Sequence, residues 1–258
     1  MPSTLEYHVR AHVAVIRLNR PEVLNALDRA TLRRFVDAVQ TAGADADVRV
    51  VIITGGPKAF CTGEDLREAP GLSREQFMSQ INDFQALATA IRTIPQPVIA
   101  AIGGPAIGGG LEIAVNCDAR IAADNALFGC PEVQWGLTIT NGASVLLRRI
   151  IGDGWTRQLT LFGQRLDAAA AYRVGLVTQV VAADDLELSA MTLALTAAAY
   201  SPDALRLTKG LLNADPASWA ATLDAETAAV TVGFGSDAVQ QRLASFSAGR
   251  NGDRREPG

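Results

Sequence analysis

Short aliphatic runs alternate with segments of helical spacing through the first half of the chain. Val13–Leu18 and Arg49–Thr54 read as strands, rich in Val and Ile, the second closed by Gly55-Gly56-Pro57. Between them, Leu32, Phe35, Val36 and Val39 recur three and four residues apart, which predicts a helix over Asp28–Ala42 with Asp28 as its N-cap. Val98–Ile102 is a further strand, entered through Pro95-Gln96-Pro97 and left through Gly103-Gly104-Pro105. A helix starts in the glycines that follow and carries Leu111–Val115; Ala119–Ala122 is the next strand, ending near the turn pair Asp124-Asn125. Residues 66–94 hold Phe77, Ile81, Phe84, Leu87 and Ile91 at helical spacing after a Pro70-Gly71 break, as a surface helix or a lid.

From about Asn141 the pattern turns mostly helical, with Val177–Val181 as one more strand. Ala190–Ala199 and Ala204–Leu212 read as helices separated by Ser201-Pro202-Asp203; residues 215–248 read as two more, and Gly249–Gly258 as a polar tail. Strands alternating with helices predict an α/β fold with largely parallel pairing.

Composition narrows the chemistry. The 258 residues are 48% hydrophobic and 19% charged, an ordinary globular balance, and a net charge of -4 leaves no footprint for nucleic acid. Cys61, Cys117 and Cys130 are odd in number and lack Cys-x-x-Cys spacing, which argues against a disulfide framework or a thiolate metal site. The N-terminus is too polar for a secretory segment and no apolar run reaches membrane-spanning length, so a cytoplasmic location is expected. His8 and His12 are the only histidines, both in the N-terminal strand-like segment, where solvated positions suit them better than a triad or a metal. Proton chemistry therefore falls to carboxylates. With Lys58 and Lys209 the only lysines, an anionic ligand must rely on backbone N–H groups, helix ends and arginines.

The segment Val98–Glu112 joins a strand, a glycine run and a helix start. Such a junction presents unpaired N–H groups at the positive end of a helix dipole, and glycine lets a ligand oxygen approach closely. One such N–H, paired with another across a cleft, would bind a developing oxyanion; a donor of this kind contributes about 3–4 kcal/mol. The same residues also fit a tight helix–strand turn. They fit an NAD(P)-dependent oxidoreductase too, since Gly104-x-x-x-Gly108-x-Gly110 with Asp124 resembles the short-chain dehydrogenase pattern. Two features oppose that reading: the pattern sits mid-chain, and none of Tyr7, Tyr172 and Tyr200 has a lysine four residues on. A second glycine-containing loop, Lys58–Leu66, also follows a strand and could face the first. Glu112, and Glu132 after Pro131 at a first helical position, could be plain first-turn acids; beside an oxyanion site they form a general acid–base pair.

Together these segments resemble the enoyl-CoA hydratase/isomerase (crotonase) family over nearly the whole chain. Leu18-Asn-Arg-Pro-Glu-Val-Leu-Asn-Ala-Leu27 matches its opening motif, and the resemblance implies backbone contacts from Val23 and Leu24 to coenzyme A. Ala59–Leu66 and Ala106–Glu112 match its two oxyanion loops, which implies donors at the Glu64 and Gly109 N–H groups and Thr62 near the adenine. Phe128–Glu132 matches the segment of the second catalytic carboxylate, so Glu112 would activate water and Glu132 deliver the Cα proton. Lys209 falls where a CoA-phosphate contact is common. The resemblance further implies a spiral of ββα units over residues 1–195, a C-terminal helical region over 196–258, and a homotrimer or hexamer. CoA would enter as part of an acyl-CoA substrate, with no separate cofactor or metal. Hydration of a 2-enoyl-CoA is expected; isomerisation and carbon–carbon cleavage are the alternatives. The chain departs from the common Gly-x-x-Pro-Gly-Ala-Gly-Gly-Thr run at Gly136–Ser144, where Ile139 and Thr140 replace Pro-Gly with Trp135 just upstream. Trp135 and Thr140 are thus candidates for the acyl pocket.

Overall fold

Two alternating sets of side chains build the main sheet. β1 (Leu5–Arg10) pairs antiparallel with β2 (Val13–Leu18). β2 continues in parallel to β3 (Val50–Thr54), β4 (Val98–Ile102), β6 (Ala119–Ala123) and β9 (Gln179–Val181). Strand order therefore follows chain order, apart from the short β5 (Pro105–Ile107), β7 (Leu127–Gly129) and β8 (Arg165–Asp167), which form a second sheet. The computed structural model describes residues 3–68, 73–214 and 227.

Every residue of β3 and β4 is buried because both sheet faces are covered, as parallel sheets require. On one face, Ile16, Val51, Ile53, Val98 and Ile102 join a large core with Leu32 and Phe35 of α1 (Arg29–Ala44) and Phe84, Leu87 and Ile91 of α2 (Arg74–Thr93). On the other, Val13, Val15, Val50, Ile52 and Ile99 meet Leu186, Ala190, Ala194 and Ala198 of α6 (Leu186–Ala198), a four-residue stripe along one helix side.

Local chemistry sets the element boundaries. The Asp28 side chain accepts the Thr31 N–H at 2.7 Å, capping α1, and Ser73 with Gln76 makes a reciprocal capping box at the start of α2. The reading of residues 66–94 as a helix thus holds for Arg74–Thr93, whereas Pro70-Gly71 lies outside the described residues. Three expectations shift. The break expected at Ser201-Pro202-Asp203 falls at Ala199–Ser201 instead: Ser201 caps α7 (Pro202–Asn213), and Pro202 occupies its first turn, where a missing N–H costs nothing. The helix expected from Ala190 begins at Leu186, one turn earlier, directly after a 3-10 turn at Ala183–Asp185. Pro131 is the N-cap of the 3-10 turn Glu132–Trp135 rather than its first residue. The helices and tail expected over residues 215–258 lie outside the described residues, Thr227 apart.

The chain divides into two units, Met1–Ala198 and Ala199–Gly258. Among the described residues no helix is long and apolar enough to cross a membrane.

Candidate active site

The opening motif and the first glycine loop are one construction. Leu27 pairs as an isolated parallel bridge with Glu64: its N–H donates to the Gly63 carbonyl at 2.8 Å, and its carbonyl accepts from the Asp65 N–H at 3.1 Å. Leu27 thereby takes the groups on either side of Glu64, leaving the Glu64 N–H to point the other way. Asn25, buried with positive φ, donates to the Gly55 and Ala59 carbonyls at 2.8 and 2.7 Å, while Arg20 contacts Asp28 at 3.0 Å and Asp65 at 3.1 Å. Arg67 closes the same cluster on Asp65 at 2.6 Å and, with Arg20, holds that carboxyl down at about 2.

The second loop is seated on the first. Cys61 bridges to Ala106, with the Ile107 N–H donating to the Cys61 carbonyl at 3.0 Å. Just beyond, α3 (Gly109–Asn116) opens with Gly109 against Gly63. A Cβ on Gly63, whose φ is +82°, would stand 2.8 Å from the Gly109 nitrogen. The two loops can meet this closely only as bare backbone. Glu64 and Gly109 both line a cavity of about 340 Å³, as do Glu112, Glu132, Thr62, Trp135 and Thr140.

Glu112 sits in the first turn of α3, 2% exposed. The Thr140 N–H and hydroxyl contact its two oxygens at 2.6 and 2.8 Å, and the Asn141 amide donates at 2.7 Å. Burial pushes its pKa up; these hydrogen bonds oppose the shift by favouring the carboxylate. Asn116, one turn along α3, donates to the Glu112 and Asn141 carbonyls at 2.8 and 2.9 Å, tying the two segments together. Glu132 is different. Its carboxyl oxygens are buried without hydrogen-bond partners, close to the Gly108 backbone, where a Cβ would lie 3.2 Å from Oε1. Burial, with a further push from the Glu112 charge, raises it to about 7 despite its own backbone N–H. Two carboxyls in contrasting environments, one clamped by donors and one bare, suit opposite halves of a proton transfer.

The other candidates are spread more widely. Thr140 does more than line the cavity: it holds Glu112. Trp135 also lines it, 65% exposed. Val23 and Leu24 close a 3-10 turn outside the cavity, and the Leu24 carbonyl accepts the Thr62 hydroxyl at 3.3 Å. Lys209 is carried by α7 in the second unit. His8 lies in β1, and His12 in the following turn contacts the Asp47 carbonyl at 2.8 Å, so neither lines the cavity. Sequence reasoning missed Asn116 and Asn141 as partners of Glu112. For Asn116 the four-residue spacing on one helix was an available signal; for Asn141, lying beyond a turn, there was none.

Comparison with known proteins agrees with this geometry. The family model for enoyl-CoA hydratase/isomerase matches residues 8–251. The chain is 38% identical over 206 residues to the short-chain-enoyl-CoA hydratase of Clostridium acetobutylicum, covering 78% of this chain and 77% of that protein. It is also 38% identical over 206 residues to the crotonyl-CoA hydratase of Syntrophomonas wolfei, covering 78% of each. Among solved structures, an enoyl-CoA hydratase from Bacillus anthracis superposes with a TM-score of 0.90 at 33% identity, covering 95% of this chain and 96% of that one. The fold is thus the crotonase fold, and the dinucleotide reading of the glycine run falls away. With its two glycine loops seated on one another and its sequence matched almost end to end, the chain belongs to the enoyl-CoA hydratase/isomerase family.

Proposed function

We propose that the protein hydrates a 2-enoyl-CoA to a 3-hydroxyacyl-CoA. The observation that carries this reading is that Glu112 and Glu132 line one cavity together with Gly109 and Glu64. The thioester oxygen would sit between the Gly109 and Glu64 N–H groups, which stabilise it most as negative charge develops there. Glu112, whose carboxylate form the Thr140 and Asn141 donors favour, takes a proton from water as the oxygen bonds to Cβ. The electron pair of the double bond moves to the thioester as an enolate, which collapses by taking a proton from Glu132 at Cα. Product release leaves Glu112 protonated and Glu132 ionised, and exchange with solvent resets both.

The CoA portion would pass Val23, Leu24 and Thr62. Self-association as a homotrimer or hexamer belongs to the same proposal; the 74% exposed Phe162 and its neighbour Leu161 are apolar surface available to a second subunit. Sedimentation would report it. A cytoplasmic place is likewise proposed.

Incubation with crotonyl-CoA and longer 2-enoyl-CoAs, following loss of the conjugated thioester absorbance, tests the reaction. Turnover abolished by Glu112→Gln is the expected result. Absence of hydration at every chain length, with turnover of a 3-enoyl-CoA instead, would replace hydration by isomerisation.

A further inference from the structure

The ionisable side chains that line the cavity among the described residues are all carboxyls. Glu64, Glu112 and Glu132 line it, and among the described residues no arginine, lysine or histidine does. Glu112 is engaged by Thr140 and Asn141, but Glu132 has both oxygens buried without partners and Glu64 has one, Oε1. The remaining lining is largely apolar: Leu66 ends the first loop, Phe77, Met78 and Ile81 come from α2, and Trp135 and Leu137 lie just after Glu132 in the chain. Two of the three acids have assigned roles as carboxyls. The third does not, because the proposed chemistry uses only the backbone of Glu64.

We infer that the site selects 2-enoyl groups with an uncharged hydrocarbon end and rejects acyl groups bearing a second carboxylate, with the Glu64 side chain as a specificity-determining group. A distal carboxylate entering this cavity would leave water, meet no cation among the described residues and stand among carboxyls. Like charges a few ångströms apart in a partly desolvated site repel strongly enough to cost on the order of 100-fold in kcat/KM. An aliphatic end instead buries against Phe77, Met78 and Ile81 and gains from leaving water. The inference rests on the proposed hydration for its kinetic form only, since the same discrimination must appear in binding.

The test compares 2-pentenoyl-CoA with glutaconyl-CoA, which has the same carbon count but a carboxylate in place of the terminal methyl. The full chain should favour the neutral substrate by about 100-fold in kcat/KM, and a preference below tenfold overturns the inference. Calorimetric binding of the saturated pair, valeryl-CoA and glutaryl-CoA, supplies a readout independent of turnover. If neither enoyl-CoA is hydrated, the proposed reaction fails, while the binding ratio still decides the selectivity against the same tenfold limit. Glu64→Gln should narrow the preference about tenfold. The readout is the ratio between substrates, in which any general loss from disturbing the oxyanion loop cancels. An unchanged ratio would overturn the role of the Glu64 side chain.

Discussion

Gly63 and Gly109 touch backbone to backbone, and that contact sets the distance between the two proposed oxyanion donors. A Cβ on Gly63 would lie 2.8 Å from the Gly109 nitrogen, and Gly63 also has a φ of +82°, which L side chains rarely adopt. Gly63→Ala must therefore push the loops apart or twist Glu64 away. The expected result is a loss of about 100-fold or more in kcat, the cost of misplacing a donor, with the far-ultraviolet circular dichroism of the wild type. Wild-type kcat in this variant would show that the contact does not set the donors.

Asn141 combines a left-handed backbone, φ 54°, with an amide that donates to Glu112. Asn141→Gly keeps the backbone permissive and deletes the donor; Asn141→Asp keeps the shape and sets a carboxylate against Glu112. Loss of a hydrogen bond to a charged group predicts about tenfold lower kcat/KM for the glycine variant. The aspartate variant should lose more, and its acidic kcat/KM limb should shift upward, since a second negative charge makes Glu112 harder to ionise. Equal losses with superimposable pH profiles would mean that Asn141 acts through the backbone alone.

How much of this was legible follows from what each part depends on. β2 and β4 were readable residue for residue because both are short apolar runs, β4 bounded by proline and glycine. β5, β7 and β8 are three residues each, too short for a period, and exist because the second sheet pairs them across distant sequence. Glu64, Gly109, Glu112 and Glu132, which line one cavity, were brought together by the order of the motifs that resemble the crotonase family, since the strand just before Glu132, β7, carries no readable pattern of its own. The clamp on Glu112 was invisible. It depends on Thr140 and Asn141 returning across an irregular turn to a carboxylate 28 and 29 residues earlier.

Glu132 supplies a pH dependence with a definite sign. A carboxyl raised from 4.5 to about 7 is protonated, and able to donate, below that value. The kcat/KM for hydration should therefore fall as pH rises through about 7. Stability should move the same way: between 4.5 and 7 the unfolded chain has already lost a proton that the folded one keeps, so folding weakens as pH rises. Glu132→Gln should remove that slope while abolishing hydration. A pH–rate profile flat from about pH 5 to 8, or a Glu132→Gln variant that keeps the slope, would count against this assignment.

Asp65 predicts the opposite slope, at lower pH. Its carboxylate accepts from Arg67 at 2.6 and 2.8 Å and meets Arg20 at 3.1 Å, and these partners hold it at about 2 against an ordinary 3.8. The unfolded chain therefore takes up a proton near 3.8, before the folded chain does, and excess protons in the unfolded state mean stability falls as pH falls. The contribution is fully present above 3.8 and is lost as pH drops towards about 2. Asp65→Asn cannot titrate, so it should be less stable than wild type near neutrality, with a gap that closes in acid. Urea unfolding in a pH series measures the gap directly. Because Asp65 follows Glu64 and its N–H is held by Leu27, the variant should also lower kcat before it lowers affinity for a saturated acyl-CoA. A stability gap that stays constant through the acid range would place the strength of this cluster somewhere other than the Asp65 charge.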